Sequence, residues 1–111
     1  MKFLLSKEQI KPLYQSEGPQ GCLATNRITV DGEKVGYMYR EEPDPDSDFP
    51  DSGWRFFAGD EDEEYTDNPD NINLFSLNTV ANYDPSVIPY LSAPYGAAFI
   101  RQGDGFVSDD Y

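Results

Sequence analysis

The sequence predicts an α+β fold: a small, mainly antiparallel sheet with a few short helices, forming a single domain over residues 1–111. Two observations carry that expectation. Short apolar runs with β-branched and aromatic residues are separated by Gly, Pro, Asn and Asp clusters, the pattern of strands and turns. Helix-start signals also occur, but each stands beside a stretch of only a few turns. A length of 111 residues suits one core, with roughly two-thirds of the unfolded surface buried on folding. Eight Tyr, seven Phe and one Trp supply large buried areas per residue, which argues against disorder although the net charge is −13.

Ser6 followed by Gln9 fits a capping box and predicts a short helix over Lys7–Tyr14, with Ile10 and Leu13 facing inward and Pro12 working against it. Glu17–Gly21 predicts a loop. Cys22–Val30 reads as a strand, Asp31-Gly32 as a hairpin turn and Val35–Arg40 as the return strand, with Val35, Tyr37 and Tyr39 on one face. Glu41–Ser52, with Pro43, Pro45 and Pro50 among its aspartates, predicts a loop. Gly53 opens a strand over Trp54–Ala58, with Trp54 and Phe56 on one face, and Gly59 ends it. Asp60–Tyr65 begins a short helix, since carboxylates favour a helix N-terminus.

Asn68–Asn71 predicts a turn. Leu74–Tyr83 places apolar residues at 77, 80 and 81, the spacing of one helical face. Asp84-Pro85 is an N-cap with Pro at the first helical position, opening a helix through Leu91 that Pro89 shortens. Ala93–Gly96 is a turn, Ala97–Arg101 a strand, Gly103–Gly105 a turn and Phe106–Ser108 a last short strand. There is no internal repeat.

Met1–Leu5 starts like a secretory signal, but Ser6–Gln9 ends the apolar run long before the about 7–15 residues an h-region needs. Nothing approaches the about 20 residues of a membrane span. The expectation is a soluble, cytoplasmic chain, and the lone Cys22 forms no internal disulfide.

Charge is distributed unevenly. Thirteen of the 21 acidic residues lie between Glu41 and Asp70, where Arg55 is the only base, so this acidic region 41–70 carries −12 of the total −13. A field of this sign attracts cations and basic proteins and repels nucleic acid and anionic membranes. Asp44, Asp46 and Asp48 alternate like calcium-loop ligands, but Phe49 and Arg55 stand where that loop requires Gly and a bidentate Glu. Asp60–Glu64 offers at most a weak cation site beside its reading as a solvated acidic face.

Catalytic signatures are missing. The chain has no His, which removes Ser-His and Cys-His nucleophile activation and every His-containing zinc site. Cys22, in an apolar run without a nearby base, reads as a buried thiol. Gly103-Asp104-Gly105 lacks the third glycine and the strand-to-helix context of a dinucleotide fingerprint. The expectation is therefore no enzyme, no catalytic residues, no cofactor and no metal. Two residues combine core and recognition character. Arg55 is expected to neutralise Glu41, Glu42 or the Asp60 cluster internally, ahead of contacting a partner. Trp54 is expected to anchor the core, although Trp and Arg are also the types enriched at binding hot spots. Tyr65 and Tyr83, in polar surroundings, are weaker interface candidates.

Four blocks carry a family likeness: Val35–Pro43, Asp51–Glu61, Leu77–Pro85 and Ala93–Phe99. In this order, and spanning about residues 21–106, they resemble a family of small bacterial proteins grouped as immunity protein 33 of polymorphic toxin systems. The resemblance implies a bacterial cytoplasmic protein that binds and neutralises a cognate toxin. The resulting expectation is a non-enzymatic immunity-type protein with a basic protein partner, a toxin domain. Trp54, Arg55, Asp60, Glu61, Asp62, Glu63, Glu64 and Tyr65 are its candidate contact residues. The alternative is a regulatory module that binds a small ligand or cation at residues 60–64.

Overall fold

The computed structural model describes residues 3–109, so Met1 and Lys2 of the signal-like start lie outside the described residues. Among the described residues six strands form one sheet in the order β4-β1-β3-β2-β5-β6: β1 is Gly21–Thr25, β2 Tyr37–Arg40, β3 Asp51–Phe57, β4 Ile72–Ser76, β5 Ala98–Gln102 and β6 Gly105–Ser108. β1 and β3 run parallel and every other neighbouring pair antiparallel, so the α+β expectation of a mainly antiparallel sheet with short helices holds. The helices are α1 at Asn26–Thr29, α2 at Glu63–Asp67 and α3 at Leu77–Tyr83, joined by 3-10 turns at Lys7–Gln9, Pro69–Asn71 and Pro85–Tyr90.

The core lies on one side of the sheet. Cys22, Ala24, Met38, Trp54, Phe56 and Phe106 meet Ile28 of α1, Leu77 and Val80 of α3, and Val87 and Leu91 after it. Trp54 and Phe56 share this face, stacked with centroids 6.0 Å apart, and the indole N–H donates to Leu91 O at 3.1 Å.

The structure corrects the expected hairpin. β3 sits between β1 and β2, and Cys22–Val30 is a strand only to Thr25. Asn26 then turns the chain, because its buried amide is held by Asp70 O at 2.9 Å and by the Asn73 amide at 2.9 Å. Gly32, at φ +79, closes α1 as a left-handed C-terminal residue whose N–H reaches Ile28 O, so Asp31-Gly32 ends a helix. Val35 also leaves the expected aromatic face. It is fully buried ahead of β2, and its N–H donates to Asp84 Oδ2 at 2.9 Å.

The expected helix over Lys7–Tyr14 is confined to Lys7–Gln9, where the Ser6–Gln9 capping box does form. Beyond it the chain is an extended strap. Asn78 Oδ1 accepts from Leu13 N and Tyr14 N, and Asn82 Oδ1 from Lys11 N, all at 2.8–2.9 Å. Leu13 is accordingly exposed instead of facing inward. Leu74–Tyr83 is likewise split: β4 runs to Ser76, whose hydroxyl caps α3 by accepting from Thr79 N at 3.1 Å. The Asp84-Pro85 signal is realised, with Asp84 accepting from Ser86 N at 3.1 Å.

β3 starts two residues before its expected opening at Gly53. Between Gly21↔Asp51 and Leu23↔Arg55 the parallel register slips, so β3 bulges over Ser52–Trp54. Gly53 makes this possible: at φ +91 its backbone lies against Glu41 O, leaving no room for a Cβ.

Candidate functional site

Residues opposed across a sheet point to the same side. Leu74, Leu23, Arg55, Tyr39 and Ala98 therefore form one row on the side away from α1 and α3. Phe57, Tyr37, Ile100 and Val107 form the next. Leu74 is 56% exposed, Ile100 46% and Val107 41%, on β4, β5 and β6 respectively. This face thus exposes apolar side chains at both edges of the sheet and half-buried aromatics between them, with Arg55 at its centre, and exposed apolar surface of this kind marks binding sites.

A groove of about 720 Å³ lies on this face. Its floor is aromatic: Tyr39 and Phe57 stack at 5.9 Å and 10°, and Tyr37 lies 6.0 Å from Tyr39 and 6.3 Å from Phe57. Glu33, Asp60, Glu61, Thr66, Ile100 and Arg101 complete its walls. The Arg101 charge is already committed, its guanidinium lying 2.6 Å from Asp84 Oδ2 and over the Phe106 ring. The Tyr39 hydroxyl is held above the ordinary phenol range, mainly by burial and next by the negative charge of Glu41, with Arg55 opposing.

β3 divides the acidic region in two. Residues 41–50 precede its start and residues 58–70 follow its end, roughly 20 Å apart for a seven-residue strand. In the second cluster Asp60, Glu61 and Asp62 have separate tasks. Asp60 pairs with Arg27 at 2.6 Å, which pulls its carboxyl below the usual range. Glu61 folds back to accept from Ala58 N and Gly59 N at 2.8 Å each and from the Thr25 hydroxyl at 2.5 Å. Asp62 caps α2 by accepting from Tyr65 N at 2.8 Å. Glu63 and Glu64 are exposed and hold no side-chain bond among the described residues. Tyr65 is half-buried on α2, its phenol raised by burial and by the charges of Asp31 and Glu61.

Trp54 lies on the core side of β3, whereas Arg55 lies within the open face, between Leu23 and Tyr39. Trp54 is fully buried. Arg55 is 9% exposed and makes a bidentate pair with Asp51, at 2.9 and 2.8 Å, plus a bond to Glu41 at 2.8 Å. Asp51 is pushed below the usual carboxylate range, chiefly by those Arg55 bonds and further by Gly53 N–H. Of the partners expected for Arg55, namely Glu41, Glu42 or the Asp60 cluster, Glu41 is realised, Asp60 pairs with Arg27 instead, and Asp51 was missed. The signal was available in part, since Gly53 at the strand start marks a bulge that shortens the separation of residues 51 and 55. It also missed Tyr37, Tyr39 and Phe57 as a joint surface, because their meeting depends on β3 pairing with β2.

Among the described residues no three His, Cys, Asp or Glu side chains gather to hold a metal ion. Cys22 is buried, and burial raises its thiol far above the ordinary range, the opposite of what a nucleophile needs. No helix among the described residues is long and apolar enough to cross a membrane. The arrangement suits recognition: an aromatic surface with carboxylates at both ends.

A family model described as the immunity protein Imm33 domain matches residues 22–109 of the chain. No curated protein and no solved structure matches it.

Proposed function

This chain belongs to the Imm33 family of immunity proteins, and on that premise we propose that it neutralises a cognate toxin by binding it, without catalysing a reaction, and that the toxin docks on the uncovered sheet face. The observation that carries the reading is the face itself, with Leu74, Tyr39, Phe57, Ile100 and Val107 on the side of the sheet opposite the core. The acidic groups at both ends of β3 fit a basic toxin surface, and steer its approach. Glu63, Glu64 and the outer edges of Asp60 and Tyr65 act as rim contacts in this reading. Trp54 acts from the core side and Arg55 from within the face, where its bonds to Asp51 and Glu41 fix the strand on which the rim and the aromatic floor are built.

Co-expression tests the proposal directly. A polymorphic-toxin domain, sought first beside this gene, is expressed in a growth assay with and without the chain, and complex formation is followed by size-exclusion chromatography. Growth restored together with a co-eluting complex supports the reading. Unrelieved toxicity, or protection without any complex, sinks it.

A further inference from the structure

Resting on the reading of this chain as a toxin-binding immunity protein, we propose that the groove over Tyr37, Tyr39 and Phe57 is the receptor for an arginine side chain of the partner. The floor presents the parallel Tyr39–Phe57 pair, 5.9 Å apart, with Tyr37 at its side. All three rings are half-buried, so each is fixed by its neighbours and still offers surface to an occupant. Aromatic faces carry negative quadrupole density and attract a flat guanidinium. The walls supply the matching charge. Glu33 and Asp60 side chains are 55% and 58% exposed at the rim, and Glu61 stands beside them. Two internal cations stand near them: Arg27, at 3.0 Å from Asp31, 3.9 Å from Glu33 and 2.6 Å from Asp60, and Arg101, which is paired with Asp84, so carboxylates remain in excess.

Charge selects the occupant. A second copy of a chain with net charge −13 would bring its own acidic clusters against these. An anionic ligand meets the same repulsion, and a neutral apolar one gains nothing from the rim. Arginine is favoured over lysine because its plane stacks on rings while its edge forks onto carboxylates. The chain uses the same stacking internally: Arg40 lies 4.6 Å from the Tyr95 ring centroid and Arg101 4.6 Å from that of Phe106.

The test is an NMR titration of the full chain with a capped pentapeptide holding one arginine between valines, against the same peptide with citrulline, which keeps the shape and removes the charge. The expected result is peptide-dependent shifts of Tyr37, Tyr39, Phe57 and Ile100 resonances with arginine alone, weakened about five-fold by Tyr39→Leu. Phe57→Leu serves as the second variant should the first fail to give a folded spectrum. Shifts confined to residues 44–48, equal shifts with citrulline, or no shift at low-millimolar peptide each overturn the assignment. The two levels separate cleanly in the toxin assay. A toxin bound equally by the chain and by its Tyr39→Leu variant removes the arginine receptor and leaves the immunity reading standing, whereas a toxin the unaltered chain fails to bind removes the reading itself.

Discussion

Replacing Arg55 with Met is the most informative single perturbation, because it separates a structural from a contact role for this side chain. Methionine keeps the apolar stem and removes the guanidinium. Asp51, with a side chain only 6% exposed, then loses both bonds to Arg55 and keeps only the Gly53 N–H at 2.8 Å. Leaving one charge of a buried pair uncompensated costs about 3–5 kcal/mol. That is a large share of the about 5–15 kcal/mol stability of an ordinary domain, and it lowers Tm by roughly 12 °C or more. Adding Asp51→Asn removes the stranded charge while its side-chain oxygen still accepts from Gly53, so the double variant is expected to regain about 1–2 kcal/mol.

The acid limb supplies an independent check. Asp51 titrates lower in the folded chain than its unfolded value of about 3.9. Its contribution is therefore complete above that value and lost as pH falls through the lower, folded one. The gap between the natural chain and Arg55→Met, measured by urea unfolding across pH 7 to 3, should be widest at neutral pH and narrow below about pH 4. A gap under about 1 kcal/mol at pH 7, or one that does not change with acid, would refute the buried-pair argument. A stable Arg55→Met protein that no longer binds its partner would instead make Arg55 a contact residue.

Three further outcomes are expected. Glu63→Lys with Glu64→Lys should slow toxin association and flatten its salt dependence in stopped-flow measurements while leaving Tm within a degree or two, since both side chains are exposed and unbonded among the described residues. Asp84→Ala should cost about 3 kcal/mol in chemical unfolding, because the 4%-exposed carboxylate joins Val35 N–H, Ser86 and Arg101. Gly53→Ala should cost about 2 kcal/mol or more by the same assay, as a side chain there is forced both into a positive-φ backbone and against Glu41 O.

Legibility followed the range of the interactions. The Ser6–Gln9 box, the Asp84-Pro85 start, the Gly103–Gly105 turn and the pairing of Trp54 with Phe56 on one face are all local, and each is present. Cys22–Val30 misled because its apolar composition favours a strand throughout, while the Asn26 amide, bonded to Asp70 and Asn73, makes the chain turn. The strap over residues 10–14 escaped for the same reason. Its backbone is satisfied by Asn78 and Asn82, more than sixty positions away.

By itself the sequence determined the fold class, the acidic excess, the membership suggested by its four blocks and the aromatic content available for a core and a surface. Those are properties of composition and of neighbours along the chain. The tertiary structure alone decided that β3 inserts between β1 and β2, and with that which aromatics meet. A one-strand change of order leaves each strand's periodicity intact, so the pattern cannot register it. It nonetheless brings Phe57 beside Tyr37 and Tyr39, parts the acidic region to opposite ends of one strand, and sets the Arg55–Asp51 pair between Leu23 and Tyr39 on the open face.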